Sequence, residues 1–154
     1  MRAPAISLKT EQDVEKLRIS GRLAAEVLAM IGGHVKPGVT TEYLDDLCHD
    51  FIVNTLKVTP ANIGYYGYTK TTCISPNEVV CHGIPSSKLV LQDGDIINID
   101  VAIIKDGYFG DTSRMYYVGT PSPEAKRLVN TTYGAMVTGI HAVNPGATLS
   151  DIGY

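Results

Sequence analysis

Residues 98–111 read NIDVAIIKDGYFGD. From Ile96 the run IINIDVAII is apolar and β-branched, the pattern of a largely buried strand. Asp106-Gly107 behind it is a strong two-residue hairpin signal, so Tyr108 to Val118 is predicted to return as the antiparallel partner. A two-residue loop sets Lys105 opposite Tyr108 and Ala102 opposite Asp111. Asp100 stands two residues from Ala102 and therefore points to the same face. Asp100 and Asp111 become diagonal neighbours with Cα atoms roughly 7–8 Å apart, unless Gly110 marks a bulge that shifts the register.

Two converging carboxylates repel each other. Either one is protonated or a cation sits between them. Arg114 is the nearby rival partner, but parity places it on the opposite face from Asp111. Hard divalent cations favour carboxylate oxygens, and paired metals bridged by carboxylates form a recurrent hydrolytic site. The plainer alternative is that Asn98, Asp100 and Ala102 form the wet face of a half-exposed antiparallel strand.

Working outward, Thr10 and Asp13 make a capping box that opens a first helix. Val14, Leu17, Gly21, Ala24, Leu28 and Ile31 recur at helical spacing, and Gly32-Gly33 ends it. Thr40 or Thr41 caps a second helix with Leu44, Leu47, Phe51 and Leu56 on its apolar face, stopped by Pro60. Residues 61–119 then read as turns and strands. Ser122 caps a third helix through about Val143, with Leu128, Tyr133, Met136 and Ile140 among its apolar positions. That helix leads into Val143-Asn-Pro-Gly-Ala-Thr148, as the first leads into Val35-Lys-Pro-Gly-Val-Thr40; Pro145 stands 108 residues after Pro37. The pair suggests an internal repeat, a first copy over about 10–119 and a second beginning at about 122. The whole, 1–154, reads as a single domain whose second copy has only begun.

The chain has 154 residues, 44% hydrophobic and 19% charged, which is ordinary for a globular α+β domain with a real core. A net charge of −3 offers no electrostatic case for nucleic acid or an anionic membrane. Cys48, Cys73 and Cys81 are scattered and odd in number, which suggests free thiols in a reducing compartment. MRAPAISLKT lacks a signal-peptide apolar core, and no run approaches a membrane span, so the expected location is cytoplasmic.

Other candidate residues carry competing readings. His82, in VVCHGIP, is a ligand, an acid/base group or a satisfied structural histidine. Tyr65, Tyr66 and Tyr68 are loop packing or a pocket. His34 and His141 precede the Pro-Gly turns, where a helix C-terminus favours a cation. His49, in the acidic run DDLCHD, reads as solvated. Cys81 beside His82 would be a nucleophile pair, but adjacent residues on a strand point to opposite faces.

Through NEVVCHGIP, DGDIINIDVAIIKDGYFGDTSRMYYVG and GYYGYTKTTCIS, the sequence resembles the type I methionine aminopeptidases from residue 6 to residue 154. The resemblance implies a pita-bread fold, two pseudo-symmetric halves around a dinuclear metal centre of Co, Mn, Fe or Zn. It implies that Asp100 and Asp111 are metal ligands and that His82 contacts substrate and aids catalysis. It implies that Tyr65, Tyr68 and Cys73 line the methionine side-chain pocket, with Asn62 where some members have cysteine. Asn77 and Val79 fall in a segment associated with a monovalent cation, bound through backbone carbonyls.

The implied reaction removes the initiator methionine from nascent polypeptides with a small second residue. A monomer acting near the ribosome surface is implied with it, in keeping with the lack of a membrane or nucleic-acid signature in the charge and apolar runs. The family's remaining ligands, one histidine and two glutamates, and its general-base glutamate come from the second half, and their counterparts fall outside these 154 residues. This chain alone is therefore expected to be inactive, as a fragment, a truncated form or one piece of a split protein. Two other readings keep the fold. One is a non-catalytic module that binds peptides or proteins, which need not retain Asp100, Asp111 and His82. The other is a peptidase cleaving before proline, which the methionine-pocket segment argues against.

Overall fold

The computed structural model of the chain describes residues 6–154; the start of MRAPAISLKT, through Ala5, lies outside them. Helix α1 (Glu11–Gly32) opens as expected. The Thr10 side chain accepts from the Asp13 N–H at 3.2 Å and the Asp13 carboxylate accepts the Thr10 N–H at 2.8 Å. Its buried stripe is Ser20, Ala24, Val27, Leu28 and Ile31. Val14, expected on that stripe, is 39% exposed and stands ahead of the buried positions, which begin at Ser20. Helix α2 (Thr41–Asp50) is capped by the Thr40 side chain and runs into a π-helical turn at Phe51–Thr55.

One sheet organises the rest. β3 (Ile96–Lys105) is its centre and pairs antiparallel with β4 (Tyr108–Tyr117) along its whole length. β1 (Thr59–Pro60) and β2 (Thr72–Pro76) lie one after the other on the opposite edge of β3. The expected stop at Pro60 is a residue of β1, where its missing N–H is tolerated on an edge. Ile97, Ile99, Val101 and Ile103 are fully buried against α1 and α2. The other face carries Asn98, Asp100 and Ala102.

Gly110 serves a different purpose from the one its place in a strand suggested. The β3–β4 register runs through it without a bulge. A Cβ at this position would stand 2.2 Å from the Ser20 carbonyl oxygen. Gly110 is where α1 meets the sheet most closely, and the Ser20 hydroxyl donates to the Tyr108 carbonyl beside it at 3.0 Å.

β4 leads to α3 (Pro123–His141), capped by Ser122, and then to the short α4 (Leu149–Gly153). NEVVCHGIP, read as partly strand-like, contains no strand: residues 77–85 form an irregular loop. Among the described residues no helix is long and apolar enough to cross a membrane, and all three cysteines are free thiols.

Candidate functional site

The register of the central hairpin sets the two aspartates. Ala102 pairs with Asp111 and Asp100 with Ser113, so both carboxylates rise from the face that α1 does not cover. Arg114 pairs with Ile99 on the other face and lies over the Tyr116 ring at 5.8 Å, so it does not neutralise Asp111. The Asp100 carboxyl is pushed up from its ordinary value, first by burial and then by the negative charge of Asp111, with His82 opposing.

The break in the sheet edge supplies the wall beside them. The Ala61 N–H still reaches the Ala102 carbonyl at 2.9 Å. The chain then leaves the edge level with the aspartates and returns at Thr72. The excursion turns through Gly64 at φ 86° and Tyr66 at φ 47°, stacking Tyr65 edge-on against Tyr66 with centroids 4.7 Å apart. The Tyr68 hydroxyl donates to the Thr72 and Gly83 carbonyls at 2.9 and 3.3 Å. Burial above all pushes the pKa of Tyr68 up, and it also raises that of Cys73, so both present neutral groups.

His82 comes from the third side. Its backbone is left-handed at φ 55°, a conformation that disfavours a side chain and marks an imposed geometry. The imposition comes from Gly83. Its carbonyl accepts the Ile74 N–H at 2.9 Å, and its N–H donates to the buried Ser75 hydroxyl at 3.0 Å. A Cβ on Gly83 would stand 2.2 Å from the Ile74 carbonyl oxygen, so no other residue fits there.

Asp100, Asp111, His82, Tyr65, Tyr68, Cys73 and Asn62 thus line one cleft of about 590 Å³. Tyr66, read as loop packing or a pocket, joins them, as do Thr69 and Ile84, for which the sequence reading had no role. Asn77 and Val79 do not line it. The Asn77 side chain instead bridges the Asp95 carboxylate and the Ile96 N–H at 2.9 and 3.1 Å. Cys81 does not line it either. His34 and His141 flank the Pro-Gly turns, and the exposed His49 ring sits 2.9 Å from the Thr71 hydroxyl rather than facing only water.

The donor chemistry suits a hard divalent cation. Two carboxylates share one face, no described ion pair involves either, and a cation between them removes their repulsion. Among the described residues no group of three or more His, Cys, Asp or Glu is arranged to hold a metal. Asp100 and Asp111 therefore supply part of a ligand set.

The fold and this cleft place the chain in a family of metallopeptidases. The model of Metallopeptidase family M24 matches residues 15–154, and the chain belongs to that family. It has the family's pita-bread fold, an α+β arrangement. The chain is 54% identical to the methionine aminopeptidase of Escherichia coli over 97% of its own length and 56% of that protein's. It superposes on the crystal structure of methionine aminopeptidase from Rickettsia prowazekii with a TM-score of 0.94 at 55% identity, covering 97% of this chain and 60% of that one. Escherichia coli aminopeptidase P shares the fold alone, with a TM-score of 0.78 at 19% identity over 94% of this chain and 32% of that one. The chain thus spans a little over half the length of the curated relatives it matches.

Proposed function

We propose that this chain carries the substrate cleft and two metal ligands of an enzyme that removes the initiator methionine from nascent polypeptides with a small second residue. The observation that carries the reading is the convergence of Asp100, Asp111 and His82 with Tyr65, Tyr68 and Cys73 in one cleft. The similarity to methionine aminopeptidases supports it.

Asp100 and Asp111 would hold divalent ions (Co, Mn, Fe or Zn), with further ligands outside the described residues. Such ions supply Lewis-acid polarisation of a carbonyl and an acidified water. His82, exposed at the cleft, hydrogen-bonds the peptide near the scissile bond and stabilises charge that develops there. Tyr68, its hydroxyl already committed to two carbonyls, offers ring surface to a thioether. Tyr65 and the neutral Cys73 thiol complete a wall suited to an unbranched apolar side chain. The carbonyls of Asn77 and Val79 would serve a monovalent cation apart from this cleft. The same reading places a monomeric enzyme in the cytoplasm near the ribosome. It also takes residues of about 10–119 as one half of a pseudo-symmetric pair and the chain from about 122 as the start of the other.

The test compares wild type with Asp100→Ala in the protein as produced from its natural gene. Cleavage of a Met-Ala peptide and calorimetric titration with Mn²⁺ or Co²⁺ are the two readings. Loss of both in the variant is expected. Near-wild-type turnover sinks the ligand assignment, and a wild type that binds no metal turns the reading to a peptide-binding module.

A further inference from the structure

Outside the cleft, α2 carries a carboxylate that the reaction does not use. Asp45 is 3% exposed and sits among the apolar residues of its helix. A buried carboxylate is costly unless its oxygens are fully engaged. Here one oxygen accepts the Thr72 N–H and the Thr72 hydroxyl, each at 2.7 Å, and the other accepts the Thr71 N–H at 3.3 Å. Both threonines are buried, at 2% and 0% exposure.

The carbonyls of these same two residues face the other way in the network. That of Thr71 accepts from the Asn62 side chain at 3.0 Å, and that of Thr72 accepts from the Tyr68 hydroxyl at 2.9 Å. Cys73 is the next residue. One carboxylate therefore holds the peptide units on either side of Thr71 and the Thr72 hydroxyl; the Asn62 acceptor lies on the second of these units, and the Tyr68 acceptor and Cys73 on the unit that follows directly. An asparagine could not do the same. It keeps one acceptor and turns an NH₂ toward the Thr71 N–H.

We propose that Asp45 is a positioning residue that sets side-chain specificity, holding the Asn62–Tyr68–Cys73 wall through the backbone of Thr71 and Thr72 and the Thr72 hydroxyl. The role in specificity rests on the peptidase reading above; the role in holding the wall does not. Lys70 supports the arrangement from the rim, its ammonium 2.6 Å from Glu42 on the same helix.

The test uses Asp45→Ala, Asp45→Asn and Thr72→Val in the protein from its natural gene. kcat and KM are measured for Met-Ala and Leu-Ala peptides, with alkylation of Cys73 followed by peptide mapping that resolves it from Cys48 and Cys81. In Asp45→Ala, KM for the methionine peptide rises about tenfold and the Met/Leu preference falls about tenfold, while kcat changes less than about threefold. Cys73, 8% exposed in the wild type, alkylates about tenfold faster as β2 loosens. Asp45→Asn gives a smaller effect in the same direction and Thr72→Val the smallest. If Asp45→Ala does not fold, these two decide by the same readings.

In an enzyme that cleaves, an unchanged KM and Met/Leu ratio overturn the proposal, as does a loss confined to kcat. If the wild type cleaves no methionine peptide, the peptidase reading falls. The Cys73 rate then decides the positioning role alone, an unchanged rate overturning it.

Discussion

Two helical hairpins in this chain begin alike and end differently. α1 and α3 each lead through V-x-P-G-x-T into a second helix. The turn glycines are left-handed in both, Gly38 at φ 87° and Gly146 at φ 92°. The capping threonines are extended in both, Thr40 at φ −87° and ψ 153°, Thr148 at φ −110° and ψ 165°. Yet α1 buries five residues and α3 buries none. Leu128, Tyr133, Met136 and Ile140 remain more than half exposed along α3. The same local signals write the same local geometry. What separates the two is the sheet, which lies against α1 and not against α3.

The sharpest break of this comparison is at paired glycines. Gly110→Ala drives a methyl group into the Ser20 backbone of α1. A loss above about 3 kcal/mol in a denaturant melt is expected. Gly134→Ala in α3 meets nothing within 4 Å, and helicity there should hold or rise slightly. Next come Leu28, 5% exposed, and Met136, 51% exposed, which occupy corresponding places in the two helices. Leu28→Ala should cost about 3 kcal/mol, and Met136→Ala less than about 0.5 kcal/mol. Equal losses would show that something covers α3 in solution.

Caps give a smaller contrast. Thr10→Ala should cost about 1 kcal/mol of global stability. Thr148→Ala should leave the melting temperature unchanged, because α4 frays without unfolding the sheet. Acid gives the smallest. Asp13 and Asp151 both sit in capping boxes that hold their pKa values below the ordinary carboxylate range. Asp13 additionally accepts the Tyr108 hydroxyl at 2.6 Å, the largest cause of its shift. A depressed folded-state value means that its stabilisation is present above the unfolded value of about 3.9 and fades as pH falls below it. Thermal melts between about pH 6 and pH 2 should therefore fall less steeply in Tyr108→Phe than in wild type. An identical slope would remove Asp13 from the account.

Much of the site was legible because a strand repeats every two residues. Once Asp106-Gly107 defined the turn, the pairing of Ala102 with Asp111 followed, and the structure keeps that register. The first-helix cap was legible for the same local reason. Asp45 was not. Thr41, Asp45 and Cys48 do recur at helical spacing, but an aspartate in DDLCHD reads as solvated until its partners, more than 25 residues on, are known. His82 was misplaced on a strand because Val79 and Val80 favour one. The hydrogen bonds of Gly83 to β2 hold its neighbour in a left-handed turn instead.

The sequence by itself determined the helices, their caps, the central hairpin and the common face of Asp100 and Asp111. Each depends on contacts within a few residues, where periodicity and turn chemistry decide. Only the tertiary structure decided that the sheet edge opens beside Ala102, that Gly110 admits α1, and that Asp45 holds the wall of the cleft. Those outcomes depend on which distant backbones meet, and a linear pattern carries no term for that.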